Sequence, residues 1–206
     1  MSPDDSVSVR EKVLSFCGQA EEEQMTESES EVGRLLAAAR DTIQEVPFFW
    51  VITGTGSGDA NARVVNAQGG GEHEAFWVRW FLTPRTGRKA KEIAQSHRAT
   101  LAYQHDSRNA YVTLIGSAEL IDDRAEVSQR FRGSQFDDPE GRVAASLIAV
   151  RVVAERIEMH VRGVTAEPWG RGRTTLERDP SGRWRLLPVI YDAALPPVNS
   201  QSPNSD

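Results

Sequence analysis

Apolar residues recur along this chain at two spacings, and the change from one to the other divides it into elements. From Glu31 onward Val32, Leu35, Leu36, Ala39 and Ile43 follow an i, i+3, i+4, i+7 rule, which predicts a helix with one apolar face, ended by Pro47. Beyond Pro47 the pattern becomes strand-like. Phe48 to Thr53 and Ala62 to Ala67 flank the turn Gly54-Thr55-Gly56-Ser57-Gly58-Asp59 and read as a hairpin. After Gly69, Gly70 and Gly71, the run Ala75 to Thr83 alternates Phe76, Val78, Trp80 and Leu82 with Trp77, Arg79, Phe81 and Thr83. Large side chains on both faces imply that one face meets the core and the other a ligand or a second subunit.

Pro84 suits the first turn of a helix whose buried side is Ala90, Ile93 and Ala94. Strands at Ala99 to His105 and Asn109 to Ile121 come next, then a helical Asp122 to Arg132 segment and an apolar Val143 to Val153 stretch. Glu155 to Val164 and Thr174 to Pro188 supply further strands. With at least six strands in hairpins and few helices, the expected fold is mainly β: a closed or nearly closed antiparallel barrel rather than a parallel sheet.

Charge sharpens the domain limits. The chain of 206 residues carries a formal net charge of -6, and Gly18 to Glu31 alone holds six glutamates and no lysine or arginine. The remainder is formally neutral, with no basic stripe to release counterions from nucleic acid, so nucleic acid is not an expected partner. Residues 1–30 read as an acidic, flexible segment, 31–190 as the folded domain and 191–206 as a flexible proline- and serine-rich tail. The longest apolar runs are strand-length, the start lacks the pattern of a secretory signal, and the single cysteine, Cys17, has no internal partner. These features predict a cytoplasmic protein without a membrane segment.

Several chemistries find little support. The Gly54 to Asp59 glycines are followed by a strand, whereas a phosphate-cradling loop needs a helix N-terminus. His73, His97, His105 and His160 are scattered, without a cysteine cluster, which disfavours a zinc site, and no G-x-S-x-G elbow occurs. The informative segment is Phe81-Leu82-Thr83-Pro84-Arg85-Thr86-Gly87-Arg88-Lys89. There a strand gives way to a helix, and backbone amides, a hydroxyl and adjacent cations meet as a phosphate dianion requires. Lysine is scarce, with only Lys12, Lys89 and Lys91 against 21 arginines, so the pair near this helix stands out. A solvated helix face is the competing reading.

The order Phe81-Leu82-Thr83, Gly87-Arg88-Lys89-Ala90, Ile93, Ala99 to Tyr103 and Ile115-Gly116-Ser117-Ala118-Glu119-Leu120 before Asp122 and Asp123 resembles the pyridoxamine 5'-phosphate oxidase-like, FMN-binding split-barrel superfamily. The likeness spans roughly Phe48 to Pro188 and is similar to its general stress protein branch. The resemblance implies a six-stranded antiparallel split barrel, FMN as cofactor, and two equivalent sites across a homodimer interface that buries aromatics such as Trp77 or Trp80. It also implies that Arg63, with Val64 and Val65, reaches FMN from the second strand. Arg88 and Lys89 hold its phosphate, Leu82 and Thr83 lie beside the ring, and Tyr111 stands where the oxidases carry a glutamine. Arg173 reaches flavin held mainly by the other subunit. Arg171, Arg173, Arg178, Arg183 and Arg185 equally read as a solvated strand edge.

The chain departs from the oxidases where they bind substrate phosphate. Gln68 replaces a lysine, Trp169 falls where an arginine is expected, and Phe131-Arg132-Gly133-Ser134 does not reproduce their arginine-serine loop; on the cofactor side, Gly87 replaces the serine before the Arg-Lys pair, a change that flavin binding should survive. Pyridoxamine phosphate oxidation is therefore not the expected reaction. The resemblance implies an FMN-dependent oxidoreductase passing electrons between NAD(P)H and a small-molecule acceptor. The alternatives are a non-catalytic flavin-binding stress or sensor protein, or a deazaflavin- or haem-binding relative.

Overall fold

In the computed structural model the described residues are 29–66, 75–131, 146–165 and 173–188. Helix α1 (residues 29–45) buries Val32, Leu35, Ala39 and Ile43, the stripe that its sequence spacing predicts, and the chain turns at Pro47 into strand β1 (Phe48–Gly54). The hairpin to β2 (Ala60–Asn66) is in register from Phe48↔Asn66 to Gly54↔Ala60, and Thr55 N–H donates to the Asp59 carbonyl across the turn at 2.8 Å. Then come β3 (Val78–Pro84), α2 (Arg88–Ser96), β4 (Arg98–His105), β5 (Ala110–Ile121), α3 (Arg124–Arg130), β6 (Leu147–Val161), β7 (Thr174–Arg178) and β8 (Trp184–Leu186). All pairings are antiparallel, in the order β2-β1-β4-β5-β6-β7-β8, with β3 branching from β6.

The branch depends on the length of β6. Of its 15 residues, those from Ala149 to Val161 run along β5, Leu147 to Val153 pair with β3, and Arg156 to Met159 pair with β7. Between the two partners the ladder with β5 slips: Ile115 faces Arg156 while Gly116 faces Ala154, so Glu155 is an extra residue that bends the strand. The Glu155 carboxylate compensates by accepting the Ser117 N–H at 3.1 Å and the Arg98 guanidinium at 2.5 Å. Burial pushes this carboxyl up, but those donors and the charge of Arg98 outweigh it and hold it below the usual glutamate value. A Cβ on Gly116 would lie 1.9 Å from the Val153 carbonyl oxygen, so the close approach of the two strands excludes any side chain there.

One core cluster gathers residues from α1, β1, β3, α2, β4, β5, β6 and β7, among them Leu35, Val51, Phe81, Ile93, Leu101, Leu114, Ile157 and Leu176. Phe49 binds the layers together, stacking on Tyr103 at 5.0 Å between centroids and meeting Phe81 edge-on at 6.1 Å. A smaller cluster of Val78, Trp80, Val127, Phe131 and Ala149 fills the other face of β3, with Leu82 packed against it. That corrects the expectation that this face meets a ligand or subunit: α3 covers it. Trp77 and Trp80 are 6% and 2% exposed, so these aromatics are already buried within one chain. Among the described residues, the large apolar side chains that do face outward are Phe48, Trp50 and Val64, at 55%, 44% and 53% exposure.

Among the described residues eight strands stand where six were expected. The apolar Val143 to Val153 stretch contributes the first half of β6, and Thr174 to Pro188 divides into a hairpin at Asp179–Gly182, where Gly182 has φ +86. Pro84 also departs from expectation, ending β3 instead of opening α2, a position open to proline because β3 is paired on one side only. Residues 1–28 and 189–206, with Gln68, His73, Arg132, Ser134, Trp169 and Arg171, lie outside the described residues.

The Gly116 contact yields a direct comparison. Gly116→Ala should destabilise the protein in urea unfolding by roughly 3 kcal/mol, as forced overpacking does. Gly54→Ala, at a site with nothing within 4 Å of the new Cβ, should change stability by less than about 1 kcal/mol.

Candidate functional site

Strand β3 ends beside a tight turn in which Gly87 N–H donates to the Pro84 carbonyl at 2.9 Å, and α2 begins at the next residue. Gly87 has no side chain to cap the helix, and no acidic residue lies in the first turn. The amides of Arg88, Lys89 and Ala90 therefore stand at an uncapped helix N-terminus, which favours an anion. The turn also explains the glycine: a Cβ there would press on the Pro84 carbonyl oxygen at 3.0 Å. Arg85, within the turn, pairs with Asp122 and donates to the Leu147 carbonyl, tying the corner to the ends of β5 and β6.

Lys89 is half-buried, its ammonium 5.1 Å from the centre of the Phe81 ring. No carboxylate among the described residues lies within ion-pair distance of it. Burial, and then the positive charge of Arg63, push Lys89 below the usual lysine value. Phe81 and Thr83 point to the same side of β3. The Thr83 hydroxyl is buried, at 1% residue exposure, and has no hydrogen-bond partner among the described residues, which is uncommon for a buried polar group.

Arg63 reaches the same corner from β2, where it is held by Glu92 of α2. Its Nη1 donates to Glu92 Oε2 at 3.1 Å and to Thr53 Oγ1 at 3.2 Å, while Nη2 donates to Glu92 Oε1 at 3.3 Å. Thr53 Oγ1 donates to Glu92 Oε2 at 2.6 Å and Asn61 Nδ2 to Oε1 at 2.7 Å. Each carboxylate oxygen thus takes two donors, which satisfies a residue only 9% exposed. Burial pushes the Glu92 carboxyl up, yet the hydrogen bonds from Thr53 and Arg63, the charge of Arg63 and the bond from Asn61 outweigh it and hold it below 4.5.

The nine sequence-derived site residues do not form one cluster. Arg63, Thr83 and Lys89 share the corner, with Arg88 exposed at its rim and Val65 on the same face of β2 as Arg63. Leu82 points from β3 to the opposite side, toward α3. Val64 and Tyr111 lie on the outward face of the sheet. Val64 is opposite Trp50, and Tyr111 is opposite His160, on which it stacks at 6.5 Å between centroids. Arg173 is exposed near this face and donates to Glu158 at 3.1 Å. Glu92, Thr53 and Asn61 were not singled out by sequence reasoning. The available signal was a carboxylate set between Ala90 and Ile93, beside the buried stripe of a short helix.

Because the Glu92 carboxyl is held low, its contribution to stability is complete above the unfolded value of about 4.5 and is lost as pH falls through its lower folded value. Thermal melting between pH 6 and about pH 2 should show the melting temperature falling at the acid end. In Glu92→Gln that fall should be shallower; an identical profile would contradict the role of the carboxylate.

The profile of the family described as pyridoxamine 5'-phosphate oxidase like matches residues 37–133. No curated protein matches the sequence. Among solved structures, a pyridoxamine 5'-phosphate oxidase-related, FMN-binding protein from Nostoc punctiforme superposes with a TM-score of 0.54 at 15% identity, covering 77% of this chain and 95% of its own. A relative of general stress protein 26 from Clostridium acetobutylicum gives 0.53 at 17% identity, covering 66% and 89%. PhzG from Burkholderia lata, in complex with tetrahydrophenazine-1-carboxylic acid, gives 0.53 at 16% identity, covering 78% and 90%. At these identities the likeness to the three structures is one of fold, that of the split barrel. The family match runs through the Thr83 to Lys89 corner, and with the shared architecture it makes this chain similar to the pyridoxamine 5'-phosphate oxidase-like family.

Proposed function

We propose that the corner between β2, β3 and α2 holds the phosphate of FMN, and that the protein is a homodimeric FMN-dependent oxidoreductase acting on a small molecule. The observation that carries this reading is the half-buried Lys89 ammonium without a carboxylate partner among the described residues, at an uncapped helix N-terminus. A phosphate supplies the acceptors that Lys89 and the first amides of α2 lack among the described residues, and Arg63 and Arg88 add charge from either side. The buried Thr83 hydroxyl, without a partner among the described residues, fits a polar edge of the same ligand. FMN binding by the Nostoc punctiforme relative supports the choice of flavin.

When bound, FMN supplies the redox chemistry, with NAD(P)H as electron donor; the chain anchors the phosphate, orients the ring and excludes side reactions. Val65 and the backbone at Leu82 and Thr83 line the ring in this reading. The outward patch of Phe48, Trp50 and Val64 is where a second copy docks, which brings Tyr111 and the partner subunit's Arg173 to the rim of the site. A C2 arrangement lets one patch serve both copies.

Titration of FMN and riboflavin into the protein should show FMN bound the more tightly, and Lys89→Ala should weaken FMN about 10- to 100-fold while leaving riboflavin nearly unchanged. Equal affinity of wild type for both ligands would remove the phosphate assignment. Flavin binding without NAD(P)H oxidation across a panel of acceptors would favour the non-catalytic flavin-binding reading. Preference for a deazaflavin or haem would redirect the cofactor assignment. In sedimentation, Trp50→Glu should shift a dimer to monomer, since a charge placed in a docked apolar patch is desolvated without a partner; a wild-type monomer would overturn the dimer.

A further inference from the structure

Two cations, Arg63 and Lys89, face one small corner, and only Arg63 has a counter-charge there among the described residues. We propose that Glu92 is a positioning residue for the phosphate site, fixing the Arg63 guanidinium beside Lys89 before any ligand arrives. This rests on the phosphate reading above and goes beyond it by assigning a role to an acidic side chain in an anion site.

The geometry favours a fixed seat over a swinging arm. Glu92 receives Thr53 and Asn61 as well as both terminal nitrogens of Arg63, at 2.6 to 3.3 Å. If Arg63 swung away to a ligand, it would leave a carboxylate only 9% exposed with half its donors gone, a costly state for a buried charge. Arg63 therefore stays, and its remaining N–H groups are offered to the ligand in a set direction. The closeness of two cations has the same explanation. Burial, and then the charge of Arg63, lower the affinity of Lys89 for its proton, while the Glu92 carboxylate is the direct counter-charge of Arg63. A ligand that meets a pre-ordered guanidinium is spared the entropy of immobilising a long side chain.

The test is a double-mutant cycle read by FMN and riboflavin binding. Glu92→Gln keeps the size of the side chain but turns an amide toward Arg63. FMN affinity should fall about tenfold with riboflavin affinity unchanged, even though the site becomes more positive. Arg63→Gln should also weaken FMN, and adding Glu92→Gln to it should cause no further loss, because Glu92 acts through Arg63. The double variant removes both members of the ion pair and should melt above Glu92→Gln alone, which shows that binding is read on folded protein. Unchanged or tighter FMN binding by Glu92→Gln would overturn the proposal, as would losses that simply add in the double variant. Failure of the wild type to prefer FMN over riboflavin would instead remove the phosphate reading on which it rests.

Discussion

The approach of β5 to β6 at Gly116 is the constraint on which the rest of the molecule depends. Where Gly116 meets Val153 there is no room for a side chain, and the extra residue Glu155 lets β6 bend and exchange β3 for β7 as its second partner. A regular ladder would leave β3 and β7 competing for one edge. With the bulge, β3 sits beside the first half of β6 and β7 beside the second, and both add residues to one core. The Ser117 amide beside the slip is met by the Glu155 side chain, so the bend leaves that half-buried donor satisfied.

That geometry positions the candidate site. Because β3 pairs with β6 and not with β1, the end of β3 is free to turn through Gly87 into α2, and α2 lies across the end of the β1–β2 hairpin. Glu92 then reaches Thr53 of β1 and both Asn61 and Arg63 of β2, linking three elements by polar contacts. Lys89, one turn earlier, faces Phe81 and the Thr83 side of β3. One short helix thus brings a saturated acid and an unsaturated cation to the same corner, a contrast that suits selective binding of an anion.

The outward face of the sheet has a different character. Trp50 and Val64 stand opposite each other with Phe48 beside them, and Tyr111 and His160 stack farther along the same side. Exposed aromatics close together on one face give the proposed second copy an apolar surface to dock on. The proposed flavin site and the proposed dimer face thus approach each other through β2, where Arg63 and Val65 face one way and Val64 the other.

Local pattern determined much of this protein. The apolar stripe of α1, the β1–β2 hairpin, strands β4 and β5, and the cationic turn after Thr83 were all legible because each depends on residues close in sequence, through helical spacing, alternation or turn chemistry. The choice of partner for each face was not legible. Trp80 reads in sequence as a candidate for a ligand or subunit, and only the packing of α3 buries it. Leu82 and Thr83 are neighbours in sequence but belong to opposite faces of β3. Glu92 looks like an ordinary solvated helix residue until α2 is laid across β1 and β2. A strand pattern shows that two faces exist, and what covers each is decided by contacts between residues distant in the chain, where burial and charge are settled together.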